Sequence, residues 1–221
     1  MSAARGTFEH MFEVAALRDK IREMEGTKVV PRLPVHPALS PLIGGGLVPG
    51  GVYSISRSLS LALGLAVESV RESGWCAAIG FPHLGIEAVR DSGIALERFV
   101  SIPNPKEHWA TVVGAVCDGF SVVLARSPHG LSPTSAARVT ALAHRTGAVL
   151  VVLGDWPGAT ARIEVTSVVN HGVGDGHGVL SSRDIHLQAS VRGVTKTGVL
   201  LWPLDREADP VAPVRRLRVV S

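Results

Sequence analysis

Residues 44–66 read GGGLVPGGVYSISRSLSLALGLA, and this stretch decides the fold. Glycines lead into a short strand-like run, VYSIS at 52–56, and a helical segment rich in alanine and leucine follows almost at once. Glycines, a strand and a helix are also the parts of a phosphate-binding loop. The order of these parts therefore determines what the stretch can do.

The order does not match a working phosphate-binding loop. There the glycines follow the strand and immediately precede the helix, so that backbone N–H groups point at the phosphates. Here the glycines precede the strand, where Pro49-Gly50 favours a tight turn. Only Ser56, Arg57 and Ser58 separate strand from helix, and no lysine occurs between positions 28 and 106. We expect a bare connection with Ser56 or Ser58 capping the helix, and the alternative is a residual anion site at the helix N-terminus.

Strand-like and helical segments alternate through the middle of the chain. The predicted strands are continuously apolar, which is typical of a parallel sheet covered by helices on both faces. Three later segments at 161–169, 178–193 and 198–204 predict antiparallel strands that extend this sheet. The predicted parallel strands are 52–56, 75–80, 98–102, 120–125 and 148–154, and the helices between them follow residues 57, 83, 105 and 132.

The two ends of the chain differ from this α/β region. Residues 7–25 carry apolar side chains at three- and four-residue steps, which predicts an amphipathic helix that packs on its own domain or docks on another chain. A proline-rich stretch follows this helix. We therefore predict an N-terminal helical segment at 1–28, an α/β domain at 29–204 and a basic tail at 205–221.

Composition indicates a globular protein without a membrane segment. The chain has 221 residues, a net charge of +3 and 46% hydrophobic residues. No apolar run approaches the roughly 18–20 residues that span a bilayer, and the N-terminus lacks the apolar core of a signal peptide. We expect a cytoplasmic protein with no membrane contact. Cys76 and Cys117 lie in separate apolar segments, which predicts two buried thiols and no zinc site.

A resemblance extends over residues 10 to 204. The run LPVHPALSPLIGGGLVPGGVYSI at 33–55 resembles the start of the RecA-type ATPase core, and the similarity continues through LALGLAVESVRESGWCAAIGFPHLGIEAVRDSGIALERFVSIPNP at 61–105. With LRDKIREMEG at 17–26 before that core, the chain is similar to the ImuA family, and within it to the ImuA-prime type. The resemblance implies a RecA-like core: a mostly parallel sheet flanked by helices, with an antiparallel extension.

Departures from the active family pattern imply that catalysis is lost. The phosphate-binding loop is shortened to Ser56-Arg57-Ser58, Pro82 stands near the position of the catalytic glutamate, and Arg126 follows the strand that should end in the Walker B aspartate. Gly154-Asp155 replaces a glutamine that senses the γ-phosphate. Four missing parts together predict a pseudo-ATPase without a cofactor, whose degenerate nucleotide site comprises Ser56, Arg57, Ser58, Pro82 and Arg126.

The resemblance also implies a role and partners. ImuA-type proteins are accessory proteins of error-prone translesion synthesis in the DNA-damage (SOS) response. The expected partner is an ImuB-type, Y-family polymerase-like protein, in one complex with an error-prone replicative-type DNA polymerase, near the nucleoid. RecA, DNA and a second copy of the chain remain further expected contacts. The alternatives are an unconventional ATPase and a single-stranded-DNA-binding RecA paralogue.

The expected partner-binding surface combines apolar and basic residues. Two tryptophans beside prolines, Trp156 and Trp202, suit either packing or a protein interface. The basic tail contacts DNA phosphate or an acidic partner, or is simply solvated. A Gly-rich stretch at 170–178 favours a β-turn with Asp175-Gly176 at its tip over a metal site. The predicted partner-binding residues are Phe8, Met11, Phe12, Leu17, Trp202, Arg215, Arg216 and Arg218.

Overall fold

The computed structural model describes residues 31–71, 74–174 and 177–202. Helices and strands alternate as the apolar pattern predicts. The helices are α1 (Ser40–Ile43), α2 (Leu59–Val70), α3 (Ile86–Asp91), α4 (Trp109–Cys117) and α5 (Pro133–Thr146), with two 3-10 turns at Leu96–Arg98 and Lys106–His108. The strands are β1 (Val52–Ile55), β2 (Cys76–Ile79), β3 (Phe99–Ile102), β4 (Val122–Arg126), β5 (Val149–Leu153), β6 (Ala161–Gly174), β7 (His177–Val191) and β8 (Val194–Trp202).

All eight strands form one sheet, in the order β3-β2-β4-β5-β1-β6-β7-β8. The first six strands in this order run parallel to one another. β7 is antiparallel to β6, and β8 is antiparallel to β7. The mixed α/β fold with a mostly parallel sheet and C-terminal antiparallel strands is therefore confirmed. Because the strands run parallel, the carboxyl ends of β1 to β5 lie along one edge of the sheet.

One detail of the predicted extension is wrong. β6 pairs with β1 in parallel, with Tyr53 opposite Ala161, so the antiparallel part begins only at β7. The seven residues 154–160 carry the chain back from the carboxyl end of β5 to the start of β6. Thr160 anchors the end of this crossover, since its Oγ1 accepts a hydrogen bond from the Val52 N–H at 3.0 Å.

Helices cover both faces of the sheet, as predicted. On one face, Leu61 and Leu65 of α2 pack with Tyr53 and Ile55 of β1. On the other face, side chains of α4 and α5 pack with Val52, which neighbours Tyr53 on the opposite side of the strand. Two-sided burial explains why the strands are apolar without alternation.

Trp156 belongs to this second core. Its side chain is fully buried, its ring lies 6.0 Å from that of Trp109, and its Nε1 donates a hydrogen bond to Thr140 Oγ1 at 3.0 Å. The interface interpretation of Trp156 is therefore wrong. The crossover places the ring under α5, although the Asp-Trp-Pro context resembles an exposed turn.

The glycines before β1 shape the amino edge of the sheet. Gly50 has a φ of +74°, and its N–H donates to the Gly147 carbonyl at the end of α5 at 3.0 Å. A Cβ at Gly50 would lie 2.7 Å from the His144 Cα, so only glycine fits this contact. These glycines thus allow the chain to turn into β1 at the amino edge of the sheet, which is opposite the edge where the helices begin.

Several predicted segments lie outside the described residues. These are the N-terminal helix, the basic tail and the Asp175-Gly176 turn. The predicted domain boundaries stay predictions. Among the helices that the structure describes, none is both long enough and apolar enough to cross a bilayer.

The Gly50 contact predicts a large stability effect. We expect Gly50→Ala to lower the free energy of unfolding by at least about 2 kcal/mol, because the left-handed backbone and the His144 backbone both oppose a Cβ. Gly119→Ala is the matched control. Gly119 has open space around its Cβ position, so a change within about 0.5 kcal/mol is expected. Urea unfolding followed by circular dichroism measures both, and equal effects would contradict the packing argument.

Candidate functional site

The connection from β1 to α2 is the three-residue link that the sequence predicts. Ser58 is the N-cap of α2, and its Oγ accepts a hydrogen bond from the Leu61 N–H at 3.2 Å. Ser56 is held by β6, since its Oγ accepts from the Val165 N–H at 3.0 Å. Arg57 between them is exposed, with a φ of +54°. The serine hydroxyls therefore fix the strand–helix junction, and the predicted cap at Ser58 is confirmed.

A cleft of about 450 Å³ lies on one side of this junction. We call it the β2–β4 cleft, because the segments that follow β2 and β4 form its two main walls. Leu59 closes it at the α2 end, and the segment between β3 and α4 forms its floor. Its lining residues are Leu59, Gly80, Phe81, Pro82, His83, Leu84, Pro103, Asn104, Pro105, Lys106, Trp109, Arg126, Ser127, Pro128 and His129.

The β2–β4 cleft is cationic. Lys106 and Arg126 line it, and the Arg126 guanidinium carbon lies 5.3 Å above the centre of the Phe81 ring, at cation–π distance. None of the described residues that line it is an aspartate or glutamate. Such a lining attracts anions and supplies no carboxylate ligand for a divalent cation.

A second cleft, of about 370 Å³, lies on the other side of the junction. We call it the β6–β8 cleft. It joins the start of α2 to side chains of the last three strands, and two arginines, Arg57 and Arg183, line it. The Arg183 Nε is buried without a hydrogen-bond partner among the described residues. The remaining lining residues are Ser58, Ser60, Val165, Ser167, Val168, Ile185 and Trp202.

The five residues predicted as one degenerate nucleotide site are divided between these clefts. Pro82 and Arg126 lie in the β2–β4 cleft, whereas Arg57 and Ser58 lie in the β6–β8 cleft. Ser56 lines neither, because its side chain is bonded to β6. The N-terminus of α2 stands between the two groups.

Of the predicted partner-binding residues, only Trp202 is described. It is partly buried against the core and lines the β6–β8 cleft beside Arg57 and Ser58, two residues that sequence reasoning assigned to a different site. The other predicted contacts lie outside the described residues: Phe8, Met11, Phe12, Leu17, Arg215, Arg216 and Arg218.

Sequence reasoning missed three residues of the β2–β4 cleft: Lys106, Trp109 and His129. Each follows a predicted parallel strand, and the carboxyl ends of parallel strands share one edge. That signal could have placed them at the same edge. It could not have paired them with Pro82 and Arg126, because the order of the strands was unknown.

No metal centre emerges from the part of the chain that the structure describes. No group of three or more histidine, cysteine, aspartate or glutamate side chains there is arranged to hold an ion. His171 lies 3.3 Å from the Asp184 carboxylate across the β6–β7 ladder, which is a pair and not a site.

Comparison with known proteins assigns the chain to a family. A sequence model described as the MT3502 N-terminal domain matches residues 40–158, which is more than half of the chain. This chain belongs to the MT3502 N-terminal domain family. The match runs from α1 into the crossover after β5, so it contains every residue that lines the β2–β4 cleft, whereas β6, β7 and β8 lie beyond it.

A curated relative is consistent with this assignment. The chain is similar to the uncharacterized protein Rv3395c of Mycobacterium tuberculosis (strain ATCC 25618 / H37Rv), with 32% identity over 119 residues. The aligned part is 53% of this chain and 58% of the relative, so the chain spans little more than half of that protein's length.

In this member of the MT3502 N-terminal domain family, both cysteines are buried, as predicted. Cys76 lies in β2 and Cys117 at the end of α4, and neither forms a disulfide. Burial raises the pKa of the Cys76 thiol to about 12 and that of Cys117 to about 11. The thiolate, which is the reactive form, is therefore disfavoured at both positions.

The cap at Ser58 predicts a moderate loss of stability. Ser58→Ala removes the oxygen that accepts from the Leu61 N–H, so we expect the free energy of unfolding to fall by about 1 kcal/mol. Ser60→Ala is the control, because Ser60 lies two residues further along, inside α2, and its hydroxyl is not the cap. The free energy of unfolding should fall by less than half as much in this variant. Chemical denaturation of both variants checks this, and equal losses would contradict the capping role.

The buried thiols predict a loss of stability at alkaline pH. Above about pH 8.5 a thiol ionises in the unfolded chain but stays protonated in the fold, so the unfolded state binds fewer protons and the free energy of unfolding falls with rising pH. Each thiol contributes a slope of at most about 1.4 kcal/mol per pH unit. Cys76→Ala should flatten the decline between pH 9 and 11 in urea unfolding, and an unchanged slope would contradict the raised pKa.

Proposed function

We propose that the chain is a non-catalytic adaptor with a RecA-like core, of ImuA type, that acts in DNA-damage-induced translesion synthesis. The observation that carries the proposal is the junction after β1. Only three residues connect β1 to α2, and their hydroxyls are used to hold β6 and to cap the helix. No backbone loop is left there to surround a triphosphate.

The surroundings of the junction support the same proposal. Phosphoryl transfer needs a divalent cation held by carboxylates and a group that orients water. Pro82 and Arg126 stand in the β2–β4 cleft where such groups would be expected, and the described lining holds cations but no carboxylate. A magnesium ion would be repelled by Arg126 and not bound.

The C-terminal strands supply a surface for a protein partner. β6 and β7 extend beyond β8, which pairs with β7 only from Arg183 to Val191. We call this extension the β6–β7 arm. Val173 and Val179 lie in this arm and are 46% and 82% exposed, and Leu180 is 39% exposed.

An uncovered two-stranded ribbon is marginally stable in water, and exposed aliphatic side chains along it suit a surface that a partner covers. We propose that an ImuB-type, Y-family polymerase-like protein covers the arm and brings the error-prone replicative-type polymerase into the same complex. The predicted N-terminal helix, Trp202 and the basic tail would add to this contact.

The partner proposal predicts a selective loss of binding. The double substitution Val173→Ser/Val179→Ser should weaken capture of a co-expressed, tagged ImuB-type protein by at least about tenfold, because two apolar contacts are lost. Val194→Ser is the matched control, since Val194 is 58% exposed but lies at the β7–β8 turn, at the opposite end of β7. Calorimetry on the purified pairs gives the dissociation constants.

Two outcomes would overturn the proposal. If the intact chain never captures an ImuB-type protein, the adaptor role fails. If the purified chain releases phosphate from ATP and magnesium at a saturable rate, with or without single-stranded DNA, the rival interpretation as an unconventional ATPase replaces it. Arg57→Gln serves as a control for a contaminating ATPase. If this chain hydrolyses ATP, the rate of phosphate release should change when a residue of the β1–α2 junction is replaced, whereas hydrolysis by a contaminant should not change.

A further inference from the structure

The β2–β4 cleft lies at a point where the chain reverses its direction across the sheet. From β2 the chain continues outward to β3, whereas from neighbouring β4 it continues in the other direction to β5. The loops that leave two such strands diverge and open a crevice, which is where open α/β sheets bind ligands. The volume of about 450 Å³ is within the range of small-molecule sites.

Hydrogen-bond donors enter this cleft from three separate segments. Arg126 ends β4 and His129 lies in the segment after it, His83 comes from the segment after β2, and Lys106 from the segment after β3. Lysine and arginine only donate, and a histidine ring has an N–H in either protonation state. The lining therefore presents donors to an acceptor-rich, negatively charged group.

One donor on the cleft wall lacks a partner. Trp109 is only 4% exposed, and its Nε1 is buried with no hydrogen-bond acceptor within the described part of the chain. An indole N–H can only donate, and leaving a buried donor unpaired costs about 1–3 kcal/mol. This nitrogen is fully enclosed beneath the cleft wall, so a ligand in the cleft does not contact it. Trp156, which packs against Trp109, already has its acceptor on Thr140.

The backbone beside Trp109 is consistent with a ligand. Lys106 has a φ of +49°, an uncommon conformation for a residue other than glycine, and one that clusters at binding sites. Lys106 begins the 3-10 turn that leads into α4, and the N-cap of α4, His108, makes no side-chain capping bond. The N–H groups of this turn are already bonded, since the His108 N–H donates to the Pro105 carbonyl at 3.1 Å and the Trp109 N–H to the Lys106 carbonyl, so the turn holds Lys106 in place beside the cleft.

From these observations we propose that the β2–β4 cleft binds a phosphate-class oxyanion without a divalent cation. Magnesium needs oxygen ligands, usually carboxylates, and the cleft lining described here has none. Binding must therefore rely on Arg126, Lys106 and the ring N–H groups of His83 and His129. A free phosphorylated small molecule and the phosphodiester backbone of a nucleic acid both carry this chemistry. The inference does not depend on the adaptor role.

The test uses the full chain in low salt with EDTA. Inorganic phosphate and ADP are titrated separately, and binding is followed by calorimetry and by tryptophan fluorescence. We expect saturable binding by the intact chain, and a dissociation constant at least about tenfold higher in Arg126→Gln and in Lys106→Asn, which corresponds to about 1.4 kcal/mol. Arg138→Gln, which removes an equal charge from the exposed face of α5, should bind as the intact chain does.

A fourth variant serves as a second control. Trp109→Phe keeps an aromatic ring in the core but removes the enclosed N–H, so binding should stay unchanged because that nitrogen does not reach the cleft. A fluorescein-labelled single-stranded oligonucleotide, followed by anisotropy, distinguishes the two sources of phosphate. Binding of the oligonucleotide that weakens in Arg126→Gln but not in Arg138→Gln assigns the site to a nucleic-acid backbone, and binding of ADP alone assigns it to a small molecule.

Three results would overturn the inference. The first is no saturable binding of phosphate, ADP or the oligonucleotide by the intact chain. The second is binding that requires magnesium and disappears in EDTA. The third is binding that Arg138→Gln weakens as much as Arg126→Gln, which would indicate diffuse charge attraction. Capture of the ImuB-type protein by Arg126→Gln is measured in parallel, so that a failed anion site and a failed adaptor role are told apart.

Discussion

The junction between β1 and α2 is the constraint on which the rest of the carboxyl edge depends. β1 is bordered by β5 on one side and by β6 on the other, and its four residues are fully buried. Ser56 extends the pairing with β6 through both its N–H and its hydroxyl, and two residues later Ser58 already caps α2. The first turn of α2 therefore lies directly beyond the end of β1 and separates the β2–β4 cleft from the β6–β8 cleft. Leu59 faces one cleft, and Ser58 and Ser60 face the other.

The residues that line these two clefts make the carboxyl edge of the sheet positively charged. Each cleft holds two strongly basic side chains: Lys106 and Arg126 in one, Arg57 and Arg183 in the other. Neither described lining includes a carboxylate to balance them. In a chain with a net charge of only +3, this places positive charge at the edge where parallel sheets commonly bind their ligands. The adaptor and anion-site proposals use different parts of the molecule, the β6–β7 arm and the β2–β4 cleft.

The fold could be predicted from the sequence because its signals are local. Continuous apolar runs such as Val149–Leu153 and the cap at Ser58 depend on neighbouring residues only. The parallel direction of β6 and the burial of Trp156 could not be predicted, because both depend on where the crossover after β5 passes. The same limit applies to the site. The resemblance predicted that Pro82 and Arg126 stand in place of catalytic groups, whereas their proximity to Lys106 and Trp109 follows from strand order.

The position of β1 has a consequence for how the chain folds. Its hydrogen-bonding partners are distant in sequence: Ser54 bonds to Gly154, 100 positions later, and Val52 to Thr160, 108 positions later. During synthesis this buried central strand thus has both edges unpaired until the residues of β5 and β6, from Val149 onward, have emerged. Contacts of such long range slow folding, and unpaired apolar edges invite aggregation. The β7–β8 hairpin, whose strands are adjacent in sequence, emerges only after both partners of β1. We therefore expect a chaperone that protects the unpaired edges of β1 during synthesis to raise the yield of this protein.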